Sequence, residues 1–165
     1  MKKYEFTGET KEIRLLFRTA TLHRIRATVA FGIVEVGDLG GWIEKEENLS
    51  HEGKAWVCGD AKVWGNAKVC GDAEVCGDAK VFSASHVLVI GAIGSRNDFT
   101  TFYRDKDNEI TVKCGCFLGK IDRFLEKVTQ THGDSKYALV YRAAVEVAKL
   151  QIDLSGEAPK DADEE

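Results

Sequence analysis

Hydrophobic and polar residues alternate in blocks of six along the middle of the chain. Four blocks from Ala55 repeat the pattern Ala-X-Val-X-Gly-Asp/Asn, and looser blocks follow, so that valine or isoleucine recurs at positions 57, 63, 69, 75, 81, 87 and 93. Within a block, alanine and valine point to one face of a short strand and the X residues point to the other. The Gly-Asp or Gly-Asn pair supplies a tight corner, because these residues tolerate positive φ. The pattern therefore predicts short strands joined by tight corners.

A short strand of this kind buries little surface alone, so the blocks must stack. Three blocks close a triangle of eighteen residues with alanine and valine inside. The motif resembles the left-handed β-helix of hexapeptide-repeat proteins. We therefore expect a mainly β fold whose centre, roughly Leu49–Gly94, is a short left-handed triangular parallel β-helix that assembles as a homotrimer. The alternative is a set of flat hairpins with type I′ turns.

The segments around the repeat predict other elements. Three segments before it have strand-like composition: Tyr4–Thr7, Ile13–Phe17 and Leu22–Ala30. After it, Phe99–Tyr103 and Ile110–Phe117 are expected to form a β-hairpin. Apolar residues then recur at helical spacing, which predicts a helical hairpin with one helix around Ile121–Val128 and a second that ends near Ile152.

These patterns divide the chain into four parts: an N-terminal β lead-in and cap (1–48), the hexapeptide repeat (49–98), a β-hairpin with a helical hairpin (99–152) and an acidic tail (153–165). The formal net charge is −4, and residues 155–165 carry all of it, which leaves the body neutral. We expect the tail, which contains the only proline, to be disordered. A neutral body argues against general nucleic-acid binding.

The outward positions of the repeat carry the candidate chemistry. Residues eighteen apart should stack, so Lys62 and Trp64 lie above Lys80 and Phe82. Columns of exposed aromatic side chains are unfavourable in water. One interpretation is that these side chains are buried against other protomers or against the terminal segments. The other is a pocket for a planar anionic ligand, in which the rings stack on a base and the lysines meet phosphate or carboxylate. Four flanking residues are further ligand-binding candidates, although exposed charge or simple packing also explains them: Arg24, Arg26, Tyr103 and Arg104.

Five cysteines, an odd number, predict reduced thiols. Cys114 and Cys116 are close in sequence, but a zinc site needs four ligands and His132 is the nearest candidate, so no metal or other cofactor is expected. The chain contains no apolar run of membrane-spanning length, and two lysines near Met1 precede no apolar segment. We therefore expect a cytoplasmic protein that contacts no membrane.

Several segments together resemble small phage and prophage hexapeptide-repeat proteins. Before and within the repeat these are Thr7–Thr10, Leu22–Arg26, Gly37–Glu44 and Asn48–Ser50; after it they are the Cys-Gly-Cys-Phe segment Cys114–Phe117 and the Thr-His-Gly-Asp segment Thr131–Asp134. The resemblance covers nearly the whole chain. It implies a phage origin, a bacterial host cytoplasm and a shared architecture, and it implies no particular activity.

Three classes of function compete. Hexapeptide acyltransferases use a histidine base, and His86 could serve, but the repeat lacks the inserted loop that covers coenzyme A. A carbonic anhydrase needs three histidine ligands, and only His51 and His86 lie near the repeat. A non-enzymatic binding protein fits better, one that sequesters a small anionic, nucleotide-like signal of host immunity. The remaining alternative is a structural or protein-binding module that blocks a host protein.

Overall fold

The computed structural model describes residues 1–162, which form eleven β-strands and two α-helices. In chain order the strands are β1 (Tyr4–Arg14), β2 (Thr19–Ala27), β3 (Leu39–Ile43), β4 (Trp56–Val57), β5 (Lys62–Val63), β6 (Glu74–Val75), β7 (Lys80–Val81), β8 (Val87–Ile93), β9 (Asp98–Arg104), β10 (Ile110–Cys114) and β11 (Phe117–Lys120). The helices are α1 (Ile121–His132) and α2 (Lys136–Gln151). Short 3-10 helices occupy Glu46–Asn48 and Ala84–His86.

A five-stranded mixed sheet joins the N-terminal strands to part of the repeat. Its order is β1-β2-β3-β5-β7. β1, β2 and β3 pair antiparallel, whereas β3, β5 and β7 pair in parallel. The sheet therefore changes from antiparallel to parallel pairing at β3, and the N-terminal hairpin and the repeat strands are continuous within one sheet.

The hexad segment (residues 55–82) contains strands of only two residues each. β4 pairs in parallel with β6, and β5 with β7, each at an offset of eighteen residues. The alanines and valines at the repeating positions are at most 2% exposed and form one core with residues from β2 and β3. The corner glycines have positive φ, from 62° to 67°, which a residue without a Cβ adopts at no steric cost: Gly59, Gly65, Gly71 and Gly77.

The C-terminal half is a four-stranded antiparallel sheet with two helices packed on it. The sheet order is β11-β10-β9-β8, and the β9–β10 hairpin pairs Arg104 with Ile110. The helices bury a second core against this sheet: Phe124, Val128, Ala138, Tyr141, Ala144, Val145, Ala148 and Ile152. The two predicted helices are present, and Ser135 is the N-cap residue of α2.

The predicted fold class, a left-handed triangular parallel β-helix, is wrong. The chain is mainly β, but its two larger sheets are mixed (five strands) and wholly antiparallel (four strands), and the parallel pairing of the described strands is confined to β3, β5 and β7 and to the two-stranded β4–β6 sheet. The repeat also ends earlier than its valine spacing suggests. After Phe82 the Gly-Asp corners are replaced by Ser-Ala and Val-Ile. The chain turns there through the 3-10 helix Ala84–His86 and continues as the seven-residue strand β8.

The acidic C-terminal segment lies on the body over its described length. Asp161 forms an antiparallel bridge with Ile13, and the Ala162 amide donates to the Glu12 carbonyl at 2.9 Å. Residues 163–165, which the sequence assigns to the same disordered tail, lie outside the described residues. Within residues 1–162, neither helix is long and apolar enough to cross a membrane.

Candidate functional site

The lysine–aromatic face (Lys62, Trp64, Lys80 and Phe82) is assembled by the parallel pairing of β5 with β7. Lys62 and Lys80 are direct partners in this pairing. Two residues further along the chain, just after each strand, the rings of Trp64 and Phe82 stack with centroids 4.9 Å apart and planes 15° apart. The eighteen-residue offset therefore places a lysine pair beside an aromatic pair, because both are outward positions of the same hexads.

Side chains of β1, β2 and β3, which belong to the same sheet as β5 and β7, cover the aromatic pair of this face. Trp64 is 2% exposed and belongs to a cluster of apolar residues from β1, β2 and β3: Ile13, Ala20, Leu22 and Trp42. The two lysines are also nearly buried, at 8% for Lys62 and 7% for Lys80. An ammonium group at this depth needs an anion or several hydrogen-bond acceptors close by.

The chain itself supplies that anion. The Asp161 carboxylate lies 3.4 Å from Lys62 Nζ and 3.6 Å from Lys80 Nζ. Lys80 Nζ also donates to the Pro159 carbonyl at 3.1 Å, and Lys62 Nζ donates to the Asp60 carbonyl at 3.3 Å. The two paired lysines thus hold one carboxylate, so this face already binds an anion, the Asp161 side chain, within the folded chain.

Arg104 borders the face from the other side and is completely buried. Its guanidinium lies over the Phe82 ring at 5.1 Å and donates to the Ser155 carbonyl at 2.9 Å. Burial lowers the pKa of Arg104, an effect that Asp153 and Asp105 partly offset. The interpretation of Arg104 as an exposed charge is therefore wrong: this side chain fixes the start of the C-terminal segment.

His86 is equally enclosed. The Phe82 amide donates to His86 Nδ1 at 3.1 Å, and His86 Nε2 lies 3.3 Å from an Arg104 nitrogen. Burial, and then the Arg104 charge, lower the pKa of His86 to about 4. With 3% exposure and both ring nitrogens engaged, His86 is not placed to act as a general base on an external substrate.

The remaining predicted residues lie away from the lysine pair. Tyr103 is fully buried, and its hydroxyl donates to the Cys76 carbonyl at 2.8 Å; burial raises its pKa. Arg24 on β2 lies over the Trp42 ring at 5.4 Å, and Arg26 pairs with Glu5 at 2.6 Å. The structure therefore brings Lys62, Trp64, Lys80, Phe82 and Arg104 together and leaves Arg24, Arg26 and Tyr103 outside that group.

Asp161 is the residue of the site that sequence reasoning missed. The available signal was the charge distribution, because an acidic tail follows a neutral body that carries an outward lysine column. Opposite charges in one chain attract over a Debye length of about 8 Å at physiological ionic strength. That attraction indicates association of the tail with the body, but it does not select one carboxylate.

The β4–β6 pair presents a different outward face. Cys58 and Cys76, eighteen residues apart, form a disulfide with Cα atoms 4.6 Å apart, so the prediction of reduced thiols is wrong for this pair. Cys70, Cys114 and Cys116 are free. The disulfide and Trp56 line a groove of about 450 Å³, whose opposite wall comes from the loop between β2 and β3.

Within residues 1–162, no group of three or more His, Cys, Asp or Glu side chains is arranged to hold a metal ion. In comparisons with known proteins, no protein-family model and no curated protein matches this chain.

Proposed function

We propose that the protein binds a small anionic ligand at the lysine–aromatic face and does not transform it. The position of Asp161 carries the proposal, because two lysines converge on its carboxylate. Ammonium groups that hold a carboxylate in this way are also suited to a ligand phosphate or carboxylate. The partly exposed ring of Phe82, which stacks on the buried Trp64, offers an aromatic surface for a planar group.

A nucleotide-like molecule combines the two features, since it joins a phosphate to a planar base. In the phage setting that the sequence resemblance implies, such a protein would sequester a nucleotide signal of host immunity, a role that requires affinity and no chemistry. We further propose that it acts as a homotrimer, in which neighbouring protomers add to the site. Light scattering tests this part, because a particle mass of 18.2 kDa in dilute solution would contradict it.

The C-terminal segment competes with the ligand in this proposal. It is held by main-chain hydrogen bonds to β1, in which the Arg14 amide donates to the Lys160 carbonyl at 3.2 Å and the Ala162 amide donates to the Glu12 carbonyl. A ligand phosphate would take the place of the Asp161 carboxylate. The apparent affinity of the protein is then reduced by the fraction of molecules in which the segment covers the lysines.

Adenosine monophosphate is a suitable probe, with adenosine and inorganic phosphate as partial ligands, measured by isothermal titration calorimetry. We expect Asp161→Asn to bind adenosine monophosphate about tenfold more tightly than the unaltered protein, since the competing charge is removed. Adding Lys80→Gln to this variant should abolish that binding. Lys68→Gln is the matched control, because Lys68 has the same place in its hexad but is exposed.

Equal affinity in the Asp161→Asn and unaltered proteins would mean that the lysine pair only anchors the tail. Recovery of chemically altered adenosine monophosphate after incubation would contradict the non-enzymatic role. Retention of a host protein by the purified chain, together with no measurable binding of any of the three probes, would instead favour the protein-binding module.

A further inference from the structure

The two C-terminal motifs, Cys114–Phe117 and Thr131–Asp134, converge on one cavity. The first lies at the turn between β10 and β11, and the second spans the end of α1. Although most of α1 separates the motifs in sequence, residues of both line a cavity of about 160 Å³ between the antiparallel sheet and the helices. None of the residues of the lysine–aromatic face contributes to it.

Aromatic rings form a continuous wall of this cavity. The Phe117 and Phe124 centroids are 5.4 Å apart, and Phe124 meets Tyr141 edge to face at 5.7 Å. His132 then stacks on Tyr141 at 5.7 Å. Phe124 and Tyr141 are 3% and 8% exposed, so the wall belongs to the core and is rigid.

The polar groups of the cavity have defined positions. Thr100 Oγ1 donates to Cys114 Sγ at 3.3 Å, and burial, followed by the proximity of Cys114, raises the pKa of the Tyr141 hydroxyl. Gly94 makes room for that hydroxyl, because a Cβ at this position would lie 1.9 Å from the Tyr141 oxygen. Arg96 and Lys127 stand at the rim with Asp98, which gives the entrance a net positive charge.

We infer that this cavity binds a monocyclic aromatic compound with an anionic substituent, such as an aromatic carboxylate. The size fits, because an apolar cavity of about 150 Å³ accepts one benzene ring. The aromatic wall receives the ring in offset or edge-to-face contacts. The guanidinium of Arg96 is able to hold a carboxylate with two hydrogen bonds, which places the anionic group at the rim and the ring inside.

Benzoate is the probe, with benzyl alcohol as the uncharged ring and acetate as the anion without a ring. Binding is followed by ¹H–¹³C NMR of the aromatic side chains, so that the Phe117, Tyr141 and His132 resonances report the place of binding. We expect benzoate to shift these resonances with a dissociation constant below that of benzyl alcohol, and acetate to leave them unchanged.

Variants separate this site from the lysine–aromatic face. Arg96→Gln should weaken benzoate binding about fivefold or more and leave benzyl alcohol unchanged, while Arg123→Gln, an exposed arginine on α1 outside the cavity, is the control. Phe117→Ala, a half-buried position at the cavity mouth, should weaken both ring compounds. Lys80→Gln should change neither. Absence of shifts at the three aromatic residues, or undiminished benzoate binding in both Arg96→Gln and Phe117→Ala, would overturn the inference.

Discussion

The β4–β6 and β5–β7 pairs have the same types of inward-facing residue and the same pairing, but different groups pack against their outward faces. Both are parallel pairs of two-residue strands at an eighteen-residue offset, and both bury Val side chains completely. Outside β5–β7, side chains of β1, β2 and β3 and the C-terminal segment cover the lysine–aromatic face. Outside β4–β6, the side chains line a groove of about 450 Å³. The inward positions of the repeat define the interior, and the non-repetitive segments determine what each outward face does.

The outward faces of the two pairs are also stabilised by different interactions. Lys62 and Lys80 are cross-strand neighbours of like charge, an arrangement that is destabilising, and the Asp161 carboxylate offsets their repulsion. Beside the other pair, the Cys58–Cys76 disulfide links successive blocks covalently. The outward face of β5–β7 is therefore stabilised by an ionic contact with a remote part of the chain, whereas the outward face of β4–β6 is stabilised by a covalent bond within the repeat.

The largest effect should come from the covalent face. Cys76→Ser removes the disulfide between residues 18 positions apart. Loss of a disulfide that closes a loop of this size lowers the free energy of unfolding by about 3 kcal/mol. Urea denaturation measures the change, with Cys70→Ser as the control, since Cys70 is a free exposed cysteine. An equal loss in both variants would show that the disulfide does not distinguish the two faces.

The second-largest effect should be a loss of folding stability in acid, caused by His86 beside the lysine–aromatic face. The pKa of His86 is about 4 in the folded protein against 6.5 as its ordinary value, so the unfolded chain binds the extra proton between these pH values. Stability from this group is complete above pH 6.5 and is lost as the pH falls toward 4. Between pH 7 and pH 4.5 we expect a loss of about 2 kcal/mol.

His86→Gln tests the source of that loss, because glutamine retains a polar side chain but does not titrate. Its unfolding free energy should fall less than that of the unaltered protein between pH 7 and pH 4.5. An identical pH dependence in the two proteins would assign the acid sensitivity to other groups.

The shared interior should respond equally on both sides. Val57 and Val63 are each fully buried, one in β4 and one in β5. Val57→Ala and Val63→Ala should each cost about 1.5 kcal/mol, from two lost methyl groups and an unfilled space. Thermal and urea unfolding measure both. A difference well above 1 kcal/mol would mean that the covers, and not the repeat, set the packing of the interior.

The ionic cover should contribute least. Asp161→Asn is expected to cost about 1 kcal/mol or less, because a carboxylate beside two lysines gains less than its loss of hydration suggests. A double-mutant cycle with Lys62→Gln isolates the interaction. The coupling should shrink at 1 M NaCl, where the Debye length is about 3 Å. A coupling that is zero at low salt would remove the ionic part of the comparison.

The sequence predicted what depends on local period. The eighteen-residue offset, the glycine corners and the two helices follow from spacing alone, and the pairing of Lys62 with Lys80 follows from the offset. It did not predict the fold class, because the antiparallel pairing of β1 with β2 and of β8 with β9 depends on contacts that no period encodes. The valine spacing of the last blocks was misleading, since the corner residues had already been lost.

The burial of charged residues was also beyond the sequence. Arg104 follows a β-strand pattern that is compatible with an exposed side chain, and only the C-terminal segment, which supplies Ser155 as an acceptor, makes its burial favourable. In the sequence, Asp161 cannot be distinguished from the other acidic residues of the tail. Its selection depends on the register of the tail beside Ile13, which is a tertiary property.

The bridge between Asp161 and Ile13 has a practical consequence for protein engineering. Only four residues separate a purification tag or reporter fused after Glu165 from the Asp161 carboxylate, which contacts both lysines. Crowding there would loosen the segment and change the measured behaviour of the face beneath it. Met1, in contrast, is fully exposed, so fusion at the N-terminus leaves that surface as the chain itself arranges it.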